Sequence, residues 1–342
     1  NGVTTIRGML GRPSHIGLRA DLESGRVFGP RLVTSGPSLN GGSVTSAAQA
    51  REMIVEQQAA GYDFAKIHPG LEAEEFDAAA NAANELGFPF AGHVTVAAGL
   101  SRVLEKRQRT IDHLDGYFAA LLPADSHGLG GFGGIFDVFL AAEIDAEGIA
   151  ELARATAAAG TWNVPTQVLV EQLIDDTPVI ELRNRPEMRY IPRTTVAEWA
   201  STKEAQLADR NYDAEVALLA IDLRRRLIVE LQRAGAGLLL GSDSPQIFNV
   251  PGFSLHRELD ALVAAGLTPY EALYSGTVAV AEFLDSNGGV VAPGRPADLV
   301  LLDANPLDDI RNSRRIHGVM LRGVWHDAEE LEARIRQFRR AE

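Results

Sequence analysis

Four ionisable residues fall near the ends of four separate apolar runs. Lys66 lies in Tyr62 to His68, His93 in Phe88 to Val94, His113 in Thr110 to Leu114, and Asp243 closes Gly237 to Asp243. An amine, two imidazoles and a carboxylate are costly to bury unpartnered. A divalent cation held by all four would satisfy them together. Each residue also has a plainer role open to it. A histidine in a strand can be a hydrogen-bonded core residue, Asp243 can cap the next helix, and Lys66 can extend its stem to water. The equivalent placement of all four favours the metal reading. His68 stands two residues beyond Lys66, which suits the same lining and equally suits ordinary strand alternation. His256, on a helix two residues before Glu258, reads as a surface or packing residue. His15, His127, His317 and His326 fall in loops or in the C-terminal part.

The elements that must position these groups form one recurring pattern. An alanine-rich amphipathic helix ends at a glycine, and a short apolar strand follows. Thr45 or Ser46 can cap a helix that stops at Gly61. A helix with Phe76, Ala80 and Ala83 on one face stops at Gly87. Another, capped by Asp145 and carrying Ile149 and Leu152, stops at Gly160. A longer one places Val216, Leu219, Leu223, Leu227 and Leu231 together and stops at Gly235. Such alternation predicts an α/β fold with a parallel sheet buried on both faces. With Val3 to Arg7, Leu32 to Gly36 and Thr161 to Pro165 added, seven candidate strands precede or include Asp243. An eight-stranded barrel is the natural closed form at this length, and its strands deliver their carboxyl ends to one mouth. A doubly wound open sheet is the rival, but no Gly-x-Gly-x-x-Gly follows an early strand.

Composition sets the outer bounds. The chain has 342 residues, 46% of them apolar, enough for a large core. A net charge of −14 argues against nucleic acid or an anionic membrane as main partner, and no apolar run is long enough to span a bilayer. The absence of cysteine excludes disulfides, thiolate metal sites and cysteine nucleophiles. A metal must then use histidine, carboxylate or a modified lysine. Residues 118–140, rich in glycine and aromatics, read as a loop, with Tyr117 just before it as a substrate contact. Residues 167–212 read as an insertion able to cover a pocket. The barrel is assigned to residues 1–285. Residues 286–342 read as a small β appendage with a terminal helix.

Several runs resemble the amidohydrolase superfamily, nearest its imidazolonepropionase-like and prolidase-like branch. They are Asn1-Gly2-Val3-Thr4-Thr5-Ile6-Arg7, Gly29-Pro30-Arg31-Leu32, Thr110-Ile111-Asp112-His113-Leu114-Asp115-Gly116-Tyr117 and Gly241-Ser242-Asp243. The C-terminal runs Ala265 to Leu273 and Pro293 to Leu302 are similar to its C-terminal signature. The resemblance implies a TIM-type barrel holding one or two divalent metals, usually zinc. It makes Lys66 the lysine that is N-carboxylated to bridge them, His93 and His113 the ligands on the fifth and sixth strands, and Asp243 the eighth-strand ligand that moves protons. One departure stands out: the superfamily carries a His-x-His pair on its first strand, and this chain has none. The expectation is a barrel missing its first strand, with an open seam between Gly2 to Ile6 and Leu238 to Ser242, and a composite β domain lacking its N-terminal half.

These readings predict a metal-dependent hydrolase of amide or related carbon–nitrogen bonds in a small peptide-like or cyclic substrate, with a homo-oligomer open. A catalytically inactive barrel that binds a ligand or partner is the alternative, distinguished by metal content. A Schiff-base enzyme using Lys66 is a third, distinguished by borohydride trapping.

Overall fold

The computed structural model describes residues 1–123 and 135–339, so His127 and part of the loop expected at 118–140 lie outside the described residues. The parallel strands are β1 (Thr5–Gly8), β2 (Arg31–Thr34), β3 (Ala65–Ile67), β4 (Phe90–Gly92), β5 (Thr110–Asp112) and β6 (Trp162–Val164). β1 pairs with β2, and β3 to β6 pair in chain order, all in parallel. Parallel bridges join Ser35 to Phe64, Leu39 to Ile67 and Asn163 to Leu238. All seven expected strand segments therefore follow one another around the sheet. Among the described residues, no pairing joins β1 to the segment at Leu238.

Local chemistry accounts for the helices between them. Ser46, not Thr45, caps the helix Ala47–Ala59 by accepting from the Gln49 N–H. Gly87, Gly160 and Gly235 end their helices in the left-handed conformation, which costs glycine little. Phe76, Ala80, Ala83 and Ile149 are buried against the sheet. On the long helix Ala214–Ala234, Leu223, Leu227 and Leu231 are buried, but Leu219 is exposed. Small Ala217 and Ala220 fill the inner face at that level instead.

The last expected strand is shorter than its sequence implies. Only Leu238 forms a bridge, and the Leu240 N–H turns to the Ser275 carbonyl, 3.0 Å away. The region 167–212 folds as helices, including Gln167–Ile174 and Arg193–Leu207. Leu182, Met188, Ile191, Val196 and Trp199 form a second core with Phe248 and Val250, which lie just beyond Asp243.

After residue 286 comes a three-stranded antiparallel sheet: β7 (Leu299–Leu302), β8 (Ile316–Leu321) and β9 (Val324–Asp327). Gly318 to Trp325 spans a hairpin. Arg322 and Gly323 both take positive φ, 50° and 80°, as a tight two-residue turn requires. Among the described residues no helix is long and apolar enough to cross a membrane.

Candidate metal centre

Strand ends position the site. β4 approaches β3 closely because Gly92, at φ 136°, has no side chain; a Cβ there would meet the Ile67 carbonyl oxygen at 2.2 Å and Lys66 Cδ at 2.9 Å. Buried Gln108 ties the β4 and β5 ends, donating from Nε2 to the Gly92 and Thr110 carbonyls at 3.1 and 2.9 Å. His113, Leu114, Thr166 and Asp243 take positive φ, between 46° and 62°. Such angles are uncommon outside glycine, and here they mark the turns leaving three successive strand ends.

Four rings line up across these ends. His68 and His93 have ring centroids 4.9 Å apart, His93 and His113 4.7 Å, and Phe136 stacks on His113 at 4.6 Å. His93 Nδ1 is 2.5 Å from Asp115 Oδ2, and His113 Nδ1 is 2.8 Å from Thr166 Oγ1. Donation from Nδ1–H to the Asp115 carboxylate leaves His93 Nε2 a lone pair, and His113 Nε2 has the same where its Nδ1–H donates to the Thr166 hydroxyl; neither Nε2 has a hydrogen-bond partner among the described residues. Asp243 Oδ2 lies 3.7 Å from His113 Nε2 and accepts a hydrogen bond from Gln246.

Burial disfavours charge on His68 and His113. Burial pushes His113 well below its ordinary range, and the neighbouring His93 and Lys66 charges act in the same direction. Burial, helped by Lys66 and His93, lowers His68 to about 4. Burial raises the Asp243 carboxyl, partly offset by Lys66.

The structure thus brings His68, His93, His113 and Asp243 together. Lys66 stands beside them but is engaged elsewhere. It is 2% exposed, and its Nζ lies 2.7 Å from Asp112 Oδ2, itself 3% exposed. Asp112 also accepts from Thr110 Oγ1 at 2.9 Å and pairs with Arg7 at 3.3 Å. N-carboxylation of Lys66 requires that this ion pair be given up. Tyr117 lies in the core. Its ring is fully buried, and its hydroxyl donates to Asn163 Oδ1 at 2.8 Å and pairs with Thr156 Oγ1 at 3.0 Å. Both hydrogen bonds tie the phenol within the core. His256 packs as expected, between Ser313 Oγ and the Asn1 carbonyl.

Sequence reasoning missed Asp115, Thr166, Phe136, Asp112 and Arg7. Asp115 and Thr166 each lie close in sequence to a strand end, a signal that a search for groups able to orient a ligand histidine would use.

Among the described residues no three His, Asp or Glu side chains stand as a ready-made metal cluster. The donors nevertheless suit one divalent cation: two imidazoles with Nδ1 tied and Nε2 without a partner among the described residues, and a carboxylate beside one of them.

Comparisons with known proteins bear on this centre. The Amidohydrolase family description matches residues 1–326. Curated protein sequences gave no match. Among solved structures, a bottromycin amidohydrolase is 22% identical with a TM-score of 0.74, covering 98% of this chain and 74% of that one. A Xaa-Pro dipeptidase with methionine in its active site is 18% identical at 0.63, covering 95% and 75%. An ochratoxinase from A. niger is 16% identical at 0.63, covering 95% and 72%. These likenesses concern the fold.

Proposed function

The chain belongs to the amidohydrolase family, and from that premise we propose that it is a metal-dependent hydrolase of carbon–nitrogen bonds in small peptide-like or cyclic amides. The observation carrying this reading is the pair of imidazoles, each held by Nδ1 and presenting Nε2, with Asp243 alongside.

In this reading His93 and His113, through Nε2, and Asp243 hold one divalent cation, with zinc suited to the nitrogen and oxygen donors. A second cation needs Lys66 as its carbamate, released from Asp112. When bound, the ion supplies Lewis acidity at the scissile carbonyl and lowers the pKa of water. Asp243 accepts the proton of the attacking water at its carboxylate and delivers it to the leaving nitrogen; its burial brings its proton affinity closer to what that exchange needs. Asp115 and Thr166 hold the two imidazoles in one tautomer. Phe136 covers one face of His113 and keeps water from it. His68, neutral and half-buried at the other end of the row, is the candidate substrate contact.

The test uses the full chain, purified with zinc, cobalt or manganese. Metal content is measured together with hydrolysis of N-acyl amino acids, Xaa-Pro dipeptides and cyclic amides. Bound metal and turnover of one of these classes, abolished by chelation, are expected. A folded chain that takes up no metal and cleaves none of them refutes the reading.

A further inference from the structure

Arg224 projects from the buried face of the helix Ala214–Ala234 and is 1% exposed. Its guanidinium lies between the ends of β5 and β6. Nη1 donates to the His113 carbonyl at 2.7 Å, Nη2 to the Pro165 carbonyl at 3.0 Å, and Nε to Gln167 Oε1 at 3.0 Å. Glu258, fully buried on the helix Phe253–Ala265, faces the same turn from the other side. Its two oxygens accept the backbone N–H groups of Gln167 and Val168, each at 2.8 Å. These are the first donors of the helix Gln167–Ile174, which no N-cap side chain satisfies.

Thr166 is caught between these two buried groups. It adopts φ 46° and ψ 42°, a conformation unfavourable for a β-branched residue. Its neighbour before it is held by Arg224, and the two after it by Glu258. In that posture its Oγ1 meets His113 Nδ1 at 2.8 Å. The same arginine holds His113 by its own carbonyl. Two buried side chains from two helices thus converge on one imidazole, fixing its backbone directly and its ring through Thr166.

We propose that Arg224, Glu258 and Thr166 are a positioning unit for His113, locking the Nδ1–H tautomer and aiming Nε2 toward Asp243. The proposal rests on the reading of His113 as a metal ligand. None of the three residues touches the reacting atoms. Arginine suits this place because its planar fork serves three acceptors at once, which a lysine ammonium at the same point does not match.

Thr166→Ala and Thr166→Ser decide the matter, since both lose the methyl and only alanine loses the hydroxyl. Two readouts are taken on the full chain: zinc affinity by chelator competition, and the His113 tautomer by histidine-selective 15N spectra of the metal-free protein, with the signal assigned through His113→Asn. Thr166→Ala is expected to weaken zinc by roughly 10–100-fold and to mix the tautomers. Thr166→Ser is expected to keep the parent's affinity and tautomer. Arg224→Lys is expected to follow Thr166→Ala; should it fail to fold, the Thr166 pair still decides. An alanine variant with the parent's affinity and single tautomer overturns the proposal, as does a serine variant as impaired as alanine. If the parent chain takes up no zinc, the metal reading falls, and the tautomer comparison alone upholds or overturns the positioning unit.

Discussion

Asp112→Asn is expected to destabilise the chain by several kcal/mol while leaving His93, His113 and Asp243 themselves unchanged. The carboxylate is 3% exposed and answers two cations, Lys66 at 2.7 Å and Arg7 at 3.3 Å. Burial alone would raise its pKa. The Lys66 and Arg7 charges overcome that and hold it well below the usual carboxylate range. Removing one partner of a buried ion pair costs about 3–5 kcal/mol, because the other charge stays buried and uncompensated. The amide still accepts from Lys66, so the lower end of that range applies. At roughly 2 °C per kcal/mol for a large chain, the melting temperature should fall by about 6 °C. The pH dependence gives a second reading. A depressed carboxylate contributes stability above its unfolded pKa of about 3.9, lost as pH falls toward its folded value. The parent should therefore lose stability steeply below about pH 4, and Asp112→Asn should lose that part of the slope. Urea unfolding between pH 3 and pH 7 measures both effects. A loss under about 1 kcal/mol at neutral pH, with an unchanged acid limb, would refute the buried-pair account.

Asp243→Asn should leave the melting temperature near that of the parent and lower kcat by about 10²–10⁴-fold; turnover close to the parent's would mean that the proton acceptor lies elsewhere. Burial raises Glu258 from 4.5 to about 7, so the folded state binds its proton more tightly than the unfolded chain. Stability should then decline by about 3 kcal/mol as pH rises from about 4.5 to 7. Glu258→Gln should flatten that decline in urea titrations, and an unchanged slope counts against this assignment. Tyr117→Phe should cost about 1–3 kcal/mol by stranding Asn163 Oδ1 in the core, with KM unaltered; a raised KM at unchanged stability would instead mark the phenol as a substrate contact.

The alternation of helix and strand was legible because it is local. Gly87, Gly160 and Gly235 stop their helices by backbone conformation alone, and short apolar runs after them have only a buried sheet to enter. The placement of Lys66, His93, His113 and Asp243 near strand ends was legible for the same reason. Local pattern failed where a hydrogen-bond partner intervened. The last run, Gly237 to Asp243, shrank to one bridge at Leu238 because the Leu240 N–H bonds to Ser275, far along the chain. Direction was equally hidden. Tyr117 follows a strand end by sequence, but Gly116, at φ 75°, turns the chain there, and the phenol meets Asn163 and Thr156 in the core. Whether Lys66 meets a cation site or a counter-ion depends on Asp112, 46 residues away on β5. Which nitrogen of His113 is free depends on Thr166, 53 residues on, and on the buried Arg224 and Glu258 that hold its turn. Residue type and period specify which elements form and which groups reach their ends. Only the packing of distant helices against those ends selects the partner, the tautomer and the direction of each group, because those are set by contacts between segments that share no local sequence.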